Sequence, residues 1–531
     1  MNPNARTMKN WTTLALAAAL LLAAQPYASE VVPASTPSEP SAVRIAATSF
    51  SSVYAGGAHT CALTAAGSAF CWGRGESGQL GVPVPTTTCQ TDGGPFPCSM
   101  IPIPVATGLG FVRLALGGAH TCALLSDGTA FCWGNNASGQ LGDRTTANRD
   151  RPVPVSTGLK FTSIDAGVSH TCALTSAGEA YCWGRNDRGQ LGDGTIVARL
   201  APAFVSGFTF QQMAAGGFSV GHTCGLATTG QTYCWGDNWR GQLGVGSADV
   251  LPHPIPMPVS TGVTFASITA GLGQHSCGRT TLGTAYCWGE NTFGALGNET
   301  QEGSPIPVEV AGSHTFSQLI AGGFIGHTCA LTGAGAAYCW GENERGQIGD
   351  GTTVDRLAPT AVFGGLIFTS LDAGFRHTCG LNHSGALYCW GANGAGQLGN
   401  NTNTMSTVPS PVFGQAPALG LQLNQSVYGV GETMTVTAKL SPGSPPEPVD
   451  AYVVVQLPTG QFLSLQLGGS IVPGIVPIAR GIVPIAYEAA LVSYTFSGIE
   501  PPGAYTWYSV LTRPGTLEFV TPLQQVAFTL N

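Results

Sequence analysis

The sequence predicts an all-β protein, namely a seven-bladed β-propeller followed by an immunoglobulin-like β-sandwich, and three observations support this. One motif returns seven times at intervals of about 50 residues, as in repeat architectures. The 531 residues include 75 Gly and 36 Pro but only 9% charged residues, which favours many short strands joined by tight turns. Beyond residue 416 the motif stops, and the chain alternates apolar and polar residues as half-buried strands do.

The repeated motif consists of a His, a Cys two residues later, nine further residues, a second Cys and then Trp-Gly. In the third copy, the segments 170–175 and 180–184 alternate on either side of a turn at 176–178. This pattern predicts a β-hairpin in which Cys172 and Cys182 face each other, within reach of a disulfide. Each copy is then a small sheet without a core of its own. Seven such sheets packed face to face around an axis would cover their apolar faces and close a ring.

The cysteines predict disulfides throughout, because all sixteen fall into eight neighbouring pairs and none is left over. The pairs are Cys61 with Cys71, Cys89 with Cys98, Cys122 with Cys132, Cys172 with Cys182, Cys224 with Cys234, Cys277 with Cys287, Cys329 with Cys339 and Cys379 with Cys389. At the N-terminus, Arg6 and Lys9 precede an apolar run at 14–24, which is typical of a secretory signal peptide. Both features indicate an oxidising compartment, so we expect a secreted or periplasmic bacterial protein without stable membrane insertion.

The motif continues after Trp-Gly with a two-residue step and then Gly-Gln-Leu-Gly. The second residue after Gly is Asn in six copies and Gly75 in the first, and we expect a left-handed turn there because Asn and Gly tolerate positive φ. The Asn residues are Asn136, Asn186, Asn238, Asn291, Asn343 and Asn393.

The full motif resembles the repeat of the regulator-of-chromosome-condensation (RCC) family, His-(Ser/Thr)-x-Ala-Leu-x-x-x-Gly-x-(Ala/Val)-(Tyr/Phe)-x-Trp-Gly-x-Asn-x-x-Gly-Gln-Leu-Gly. Residues 170–192 match it almost position by position, with Cys at two variable places. Single copies depart from it at Ser276, Ala295 and Ile348. The resemblance covers residues 46–415 and implies a seven-bladed propeller of RCC-type repeats.

The predicted organisation is a signal peptide at 1–29, a linker at 30–45, the propeller at 46–415 and the sandwich at 416–531. In the last of these, the clearest strand is 432–440, whose apolar residues recur at every second position. Further strands are expected at 452–457, 491–496, 505–512 and 517–530.

The sequence offers no catalytic constellation: it has no nucleophile elbow, phosphate-binding loop or His-Glu-x-x-His helix. The seven motif histidines are expected to make a structural hydrogen bond inside each blade, with zinc binding by His and Cys as the alternative. They are His59, His120, His170, His222, His275, His327 and His377. Asp165 and Asp372 recur at one strand position, which indicates a structural role. We expect no catalytic residue, no metal and no cofactor.

Binding residues are sought where the repeats differ, in the loops after Trp-Gly. Trp, Phe and Arg in polar turns are the residue types enriched in binding hot spots, and the alternative is that they pack on neighbouring blades. The candidates are Trp239, Arg240, Phe293, Arg188 and Arg345. A second candidate is the insertion 83–104, because its own pair of cysteines, Cys89 and Cys98, would preorganise it for contact.

These observations predict a secreted, monomeric, non-enzymatic protein that holds a protein or glycan with its propeller rim; inhibition of a secreted enzyme is one specific form. The resemblance implies an alternative, guanine-nucleotide exchange on a small GTPase with chromatin docking. An oxidising compartment opposes it. Nucleic-acid binding is not expected, because the net charge is −8 and clustered cations are missing. An extracytoplasmic propeller enzyme is a further alternative, since a propeller can assemble a site from distant loops.

Overall fold

A computed structural model describes residues 49–83, 87–91, 94–217, 220–323, 326–383, 385–413, 418–441, 449–459, 461–465, 471–473, 477–482, 487–497, 500–512 and 524–530. These residues separate into two compact units, one within 49–413 and one within 414–531. The predicted signal peptide and linker, 1–29 and 30–45, lie outside the described residues. Among the residues that are described, no helix is long and apolar enough to cross a membrane.

The described part of 49–413 forms seven antiparallel sheets, numbered sheet 1 to sheet 7 along the chain. Sheet 1 contains β1 (Phe50–Ala55), β2 (His59–Thr64), β3 (Ala69–Arg74), β4 (Thr87–Thr91) and β5 (Gly94–Pro104). Its strand order is β1-β2-β3-β5-β4, so the inserted strand β4 lies at the edge.

Sheets 2 to 7 each contain four strands paired in chain order. Sheet 2 is β6 (Phe111–Leu116), β7 (His120–Leu125), β8 (Ala130–Gly134) and β9 (Arg149–Pro154). Sheet 3 is β10 (Phe161–Ala166), β11 (His170–Thr175), β12 (Ala180–Gly184) and β13 (Arg199–Phe204). Sheet 4 is β14 (Phe210–Gly216), β15 (His222–Ala227), β16 (Thr232–Gly236) and β17 (His253–Pro258). Sheet 5 is β18 (Phe265–Ala270), β19 (His275–Thr280), β20 (Ala285–Gly289) and β21 (Ser304–Glu309). Sheet 6 is β22 (Phe316–Ala321), β23 (His327–Thr332), β24 (Ala337–Gly341) and β25 (Arg356–Ala361). Sheet 7 is β26 (Phe368–Ala373), β27 (His377–Asn382), β28 (Leu387–Gly391) and β29 (Ser406–Pro411).

The central hairpin of each sheet carries a disulfide between its two motif cysteines. In sheet 3, Cys172 is paired directly with Cys182 across β11 and β12, and their Cα atoms are 4.1 Å apart. The other six sheets repeat this bridge, with Cα atoms 4.0–4.1 Å apart. Their bonded pairs are Cys61 with Cys71, Cys122 with Cys132, Cys224 with Cys234, Cys277 with Cys287, Cys329 with Cys339 and Cys379 with Cys389.

The eighth disulfide joins Cys89 and Cys98 of the insertion, so no described cysteine is free. All eight bonds link the partners that the sequence predicts. The repeat bridges are buried because both sulfurs lie on a sheet face that packs on the next sheet.

Apolar side chains pack between successive sheets. Trp183 and Phe161 of sheet 3, for example, cover Leu141 and Val155 of sheet 2. The same packing joins sheet 7 to sheet 1, where Trp72 lies with Leu398 and other residues of sheet 7. The contacts therefore run through all seven sheets of the described residues and return to the first.

The second unit is also built of strands. Its three-stranded sheet has the order β30-β32-β37, and its larger sheet has the order β31-β39-β38-β33-β34-β35 with β36 paired to β33. The strands are β30 (Ala418–Leu423), β31 (Val427–Tyr428), β32 (Thr433–Ser441), β33 (Val449–Gln456), β34 (Phe462–Leu465), β35 (Ile471–Pro473), β36 (Ala479–Ile482), β37 (Tyr487–Thr495), β38 (Gly503–Thr512) and β39 (Gln524–Leu530). Trp507, Tyr428, Val436 and Val453 lie in its buried core.

Candidate functional site

One polar contact is repeated between neighbouring sheets. Thr223 Oγ1 of sheet 4 lies 2.9 Å from Nε2 of His170 and 2.8 Å from the carbonyl oxygen of Gln190, both in sheet 3. The hydroxyl donates its single proton to the carbonyl, so His170 donates its Nε2 proton to the hydroxyl. The hydrogen bond of each histidine therefore joins two sheets, whereas the sequence led us to expect a bond within one blade.

The same histidine contact occurs at all seven junctions, at 2.9–3.0 Å. The pairs are His59–Thr121, His120–Thr171, His170–Thr223, His222–Ser276, His275–Thr328, His327–Thr378 and, from sheet 7 to sheet 1, His377–Thr60.

Burial keeps these histidines neutral. It lowers the pKa of His59 and of four others to about 3, and the pKa of His170 and His275 to about 4. The neighbouring cysteines are disulfide-bonded, so the motif offers no thiolate to zinc. Among the described residues, no three His, Cys, Asp or Glu side chains are grouped to hold a metal. The histidines are thus part of the scaffold.

The carbonyl of the Gly-Gln-Leu-Gly segment accepts a second bond, from the tryptophan of the next sheet. Trp235 Nε1 donates to the Gln190 oxygen at 3.0 Å, and Trp340 donates likewise to Ala295. Because the acceptor is a backbone atom, Ala295 can replace the usual Gln without losing the contact.

The motif asparagines do not adopt the left-handed conformation that we expected from their type. Positive φ occurs instead at glycines of the motif, such as Gly184 (φ 103°) and Gly189 (φ 81°), and at none of the six asparagines or Gly75. The Asn186 side chain bonds the loop instead: Nδ2 donates to the carbonyls of Thr195 and Val197, and Oδ1 accepts from Leu191 N. It thereby holds the loop after Trp-Gly in one shape.

These loops, called Trp-Gly loops below, connect the third and fourth strands of each sheet. Four of the five candidate binding residues occupy one repeat position in sheets 3 to 6: they are Arg188, Arg240, Phe293 and Arg345. Arg188 and Arg240 each approach a carboxylate of the next sheet. Arg188 Nε lies 3.9 Å from Asp237 Oδ1, and Arg240 Nε lies 2.7 Å from Glu290 Oε2.

Both carboxylates are nearly buried, and burial raises the pKa of Asp237. The heads of Arg188 and Arg240 are thus fixed on the neighbouring sheet. This agrees with the structural alternative for these two residues.

In sheets 5 and 6, the residue at this repeat position does not pair with a described carboxylate of the next sheet. Phe293 is half-buried and cannot form an ion pair, and Glu342 of sheet 6 is bound instead by Arg376 at 3.0 Å. Arg345 is exposed, and its ionic partner among the described residues is the exposed Glu344 of its own loop, at 3.9 Å. An exposed pair of this kind contributes little to stability, so Arg345 is available for contact.

Trp239 is the largest exposed apolar side chain in the described part of the Trp-Gly loops. It is 52% exposed, and the Arg240 guanidinium lies over its ring at 4.2 Å from the ring centre. Since Glu290 holds Arg240, the indole rests on a fixed cation. The structure therefore brings Trp239 and Arg240 together as an exposed pair with a buried anchor.

Asp165 and Asp372 link neighbouring sheets. Asp372 accepts hydrogen bonds from Ala373 N and, across the junction of sheets 7 and 1, from Ala55 N at 2.9 Å. Asp165 accepts from Ala215 N of sheet 4 in the same way. Burial raises the pKa of Asp372 to about 7 and also raises that of Asp165. Their bonds agree with the structural role expected for this position.

Two described segments of the insertion 83–104 pair as the antiparallel strands β4 and β5 on sheet 1. The Cys89–Cys98 disulfide is buried with Phe96 and with Ala395 of sheet 7. The disulfide thus packs the insertion against sheet 7, and strand β4 lies at the edge of sheet 1.

Comparison with protein families and known proteins agrees with this geometry. Residues 25–326 match the RCC1-like domain, and 319–347, 368–397, 334–381 and 384–418 match the regulator of chromosome condensation (RCC1) repeat. The chain is 30% identical over 314 residues to the ultraviolet-B receptor UVR8 of Arabidopsis thaliana, covering 58% of this chain and 56% of that protein. It is 30% identical over 306 residues to the human E3 ubiquitin-protein ligase HERC2, covering 57% of this chain and 5% of that protein. The matches thus span about half of the first relative and a small part of the second.

Two solved structures have a similar fold. Human WBSCR16 aligns with a TM-score of 0.57 at 22% identity, over 65% of this chain and 93% of that chain. Prp20p of Saccharomyces cerevisiae aligns with a TM-score of 0.56 at 23% identity, over 69% of this chain and 87% of that chain. The repeated four-stranded sheets therefore resemble RCC1 propeller blades. The RCC1-like domain matches more than half of this chain, and the chain therefore belongs to the RCC1-like domain family.

Proposed function

We propose that this protein is a secreted, non-enzymatic binding protein that holds a protein partner on the surface formed by the Trp-Gly loops of sheets 3 to 6. In this proposal the seven sheets form a closed seven-bladed propeller at 46–415, and 416–531 is an immunoglobulin-like module. The observation that carries the proposal is the pair Trp239 and Arg240.

This pair has the properties of a binding hot spot. Trp239 offers a large exposed ring, while Arg240 is held beneath it by the nearly buried Glu290. Little side-chain freedom is left to lose on binding, which favours affinity. Trp and Arg are also the residue types that contribute most at protein interfaces.

A protein is favoured over a glycan because the related fold is described with protein partners. Yeast Prp20 has been solved in complex with Kap60, and its solved structure is accompanied by its binding to Gsp1p and histones. We infer the same class of ligand for this chain, but not the same partners. The net charge of −8 disfavours a polyanionic partner.

Secretion is inferred from the signal-like N-terminus and the eight disulfides, which persist in oxidising compartments. Guanine-nucleotide exchange would take place in a reducing compartment, so we rank it below the binding role. Intact mass of the secreted protein tests this step: a chain that begins near residue 30 and has eight bonded cysteine pairs is expected.

Affinity capture from the producer's culture medium and periplasm tests the binding role. The bait is the oxidised mature chain, compared with Trp239→Ala/Phe293→Ala and with Leu282→Ala. Leu282 is 82% exposed in the second-to-third strand turn, at the opposite end of sheet 5, and serves as the matched control.

A partner retained by wild type and Leu282→Ala, and bound about 30-fold more weakly by the double variant, is expected from a hot spot worth about 2 kcal/mol. A partner held equally by all three proteins would show that binding occurs elsewhere. The thermal midpoint of the double variant should change little, since neither Trp239 nor Phe293 belongs to the buried core.

A further inference from the structure

We propose that strand β4 is a docking edge for an extended segment of a partner polypeptide, which would add to sheet 1 as a sixth strand. This inference does not rest on the Trp239 surface, because β4 belongs to the insertion on sheet 1. Its ligand is an uncharged strand that is free of proline where it pairs with β4. Recognition would be by backbone hydrogen bonds.

The first argument is the composition of the sheet edges. The outer strands of sheets 2 to 7 all contain proline, which lacks the N–H needed to extend a sheet and so protects an edge from pairing. They are β9 (RDRPVP), β13 (RLAPAF), β17 (HPIPMP), β21 (SPIPVE), β25 (RLAPTA) and β29 (STVPSP). Strand β4 reads TTCQT, with neither proline nor charge. Of the seven described sheets, sheet 1 alone therefore ends in a strand without proline on the side opposite its first strand.

The second argument is the direction of the backbone groups. Pro97 of β5 accepts a hydrogen bond from Gly75 N at 2.9 Å, so its carbonyl points away from β4. Successive residues of a strand point to opposite sides, so Phe96 and Cys98 face β4. They are opposite Cys89 and Thr87, which use their backbone groups in this pairing.

Thr88 and Gln90 consequently direct their N–H and C=O groups to the open side of β4. They present two donors and two acceptors, the pattern that an added antiparallel strand needs. Both residues are exposed, and no described segment pairs with that side of β4.

The third argument is rigidity. The Cys89–Cys98 disulfide ties β4 to β5 at its centre, and both sulfurs are buried against Phe96 and Ala395. A two-stranded ribbon is marginal in water, but this one is fixed to the body of the unit. The edge is therefore already ordered, and a ligand has less entropy to lose on pairing with it.

Charge and area identify the occupant. Strand β4 itself carries no charge, and Arg74, which is paired with Cys98 of β5, is bound to Glu76 at 2.8 Å, so an uncharged strand is the complementary ligand. Two copies of this chain joined through β4 would share a strip about 17 Å long and one strand wide. This is far smaller than the roughly 1,200–2,000 Å² of a stable interface between two folded proteins. A single extended segment gains its affinity from main-chain hydrogen bonds, so a flexible segment of a different protein is the better ligand.

The test uses a defined library of acetylated, amidated peptides of about nine residues whose central five positions exclude Asp, Glu, Lys, Arg and Pro, a length that covers β4. Wild type is compared with Thr88→Pro/Gln90→Pro, which removes both outward N–H groups, and with Thr88→Ala/Gln90→Ala, which keeps them. We expect peptides that bind wild type and the Ala variant alike and bind the Pro variant about tenfold more weakly or worse.

Two further measurements guard against misfolding and self-association. The tightest peptide is remade with N-methyl groups on alternate residues, which removes its facing donors without touching the protein; about a tenfold loss of affinity is expected. The sedimentation coefficient of wild type alone should be that of a monomer. Absence of any selected peptide, equal binding by the Pro variant or by the N-methylated peptide, or self-association abolished by Thr88→Pro/Gln90→Pro would each overturn the proposal.

Discussion

Lowering the pH from 7 to 4.5 should destabilise the seven-sheet unit steeply, through the buried histidines. Each motif histidine stays neutral in the folded state, because burial lowers its pKa to about 3 or 4. In the unfolded chain it binds a proton near pH 6.5. Stability is therefore independent of these groups above pH 6.5, and below it each one costs about 1.4 kcal/mol per pH unit until the folded pKa is reached.

Seven such groups would remove about 8–10 kcal/mol per pH unit at the steepest point, which is comparable to the whole stability of a typical domain. Asp372 acts in the opposite direction. Burial raises its pKa to about 7, so the folded state gains a proton between pH 7 and 4 while the unfolded carboxylate stays ionised. It offsets about one of the seven protons, and Asp165, whose pKa burial also raises, offsets part of another. The disulfides add about 2–3 kcal/mol each as an upper bound, which moves the transition to lower pH without changing the slope.

The assay is chemical unfolding at a series of pH values, with the slope of the unfolding free energy giving the number of protons taken up. We expect about five to six protons, and one fewer for His170→Gln, which removes one titrating group. The reasoning would be refuted by a slope near zero between pH 6.5 and 4.5. Ring signals of the seven motif histidines that titrate near pH 6.5 in the folded protein would refute it equally.

Three further changes test the junctions between sheets, each by the midpoint of chemical unfolding. Thr223→Val keeps the side-chain shape but leaves the His170 donor unpaired, so a loss of about 1–3 kcal/mol is expected; no loss would mean that the hydroxyl contact is dispensable. Replacing both Cys122 and Cys132 by Ser should lower the free energy of unfolding by about 2–3 kcal/mol relative to oxidised wild type. Relative to wild type whose disulfides have been reduced, the variant should be equally stable. A difference that persists after reduction would indicate that the substitutions disturb packing. Asp372→Ala leaves the N–H of the first sheet without its partner and should cost about 1–3 kcal/mol at pH 8; unchanged stability would show that this bond does not hold the junction.

The sequence predicted the hairpins and the repeat because these depend on local patterns. Alternation about a three-residue turn is enough to place Cys172 opposite Cys182. The partners between sheets were not predictable, since the distance from Arg188 to Asp237 depends on how one sheet is rotated against the next. The prediction of a left-handed conformation at Asn186 was wrong. Residue type indicates only that Asn tolerates positive φ, and it does not show that the loop residues after Asn186 hydrogen-bond its side chain.

The edge strand β4 shows another limit of sequence reasoning. The insertion and its cysteine pair were recognised as a candidate contact region. Which backbone groups face outwards became visible only with the register of β4 on β5 and the bond from Gly75 to Pro97. Backbone direction in a strand changes with a shift of one residue, so the sequence alone could not decide it.

The head-to-tail order of the histidine contacts has a consequence for how the chain can be cut and rejoined. Each sheet donates to the following sheet and accepts from the preceding one, and His377 to Thr60 repeats this relation where the chain is not continuous. An open row of the same repeats would leave one donor and one acceptor unused at its ends, so the order is satisfied only in a ring. The covalent start of the unit is therefore arbitrary in energetic terms. A circular permutant that opens the chain between sheets 4 and 5 and links residue 413 to residue 49 should keep every junction.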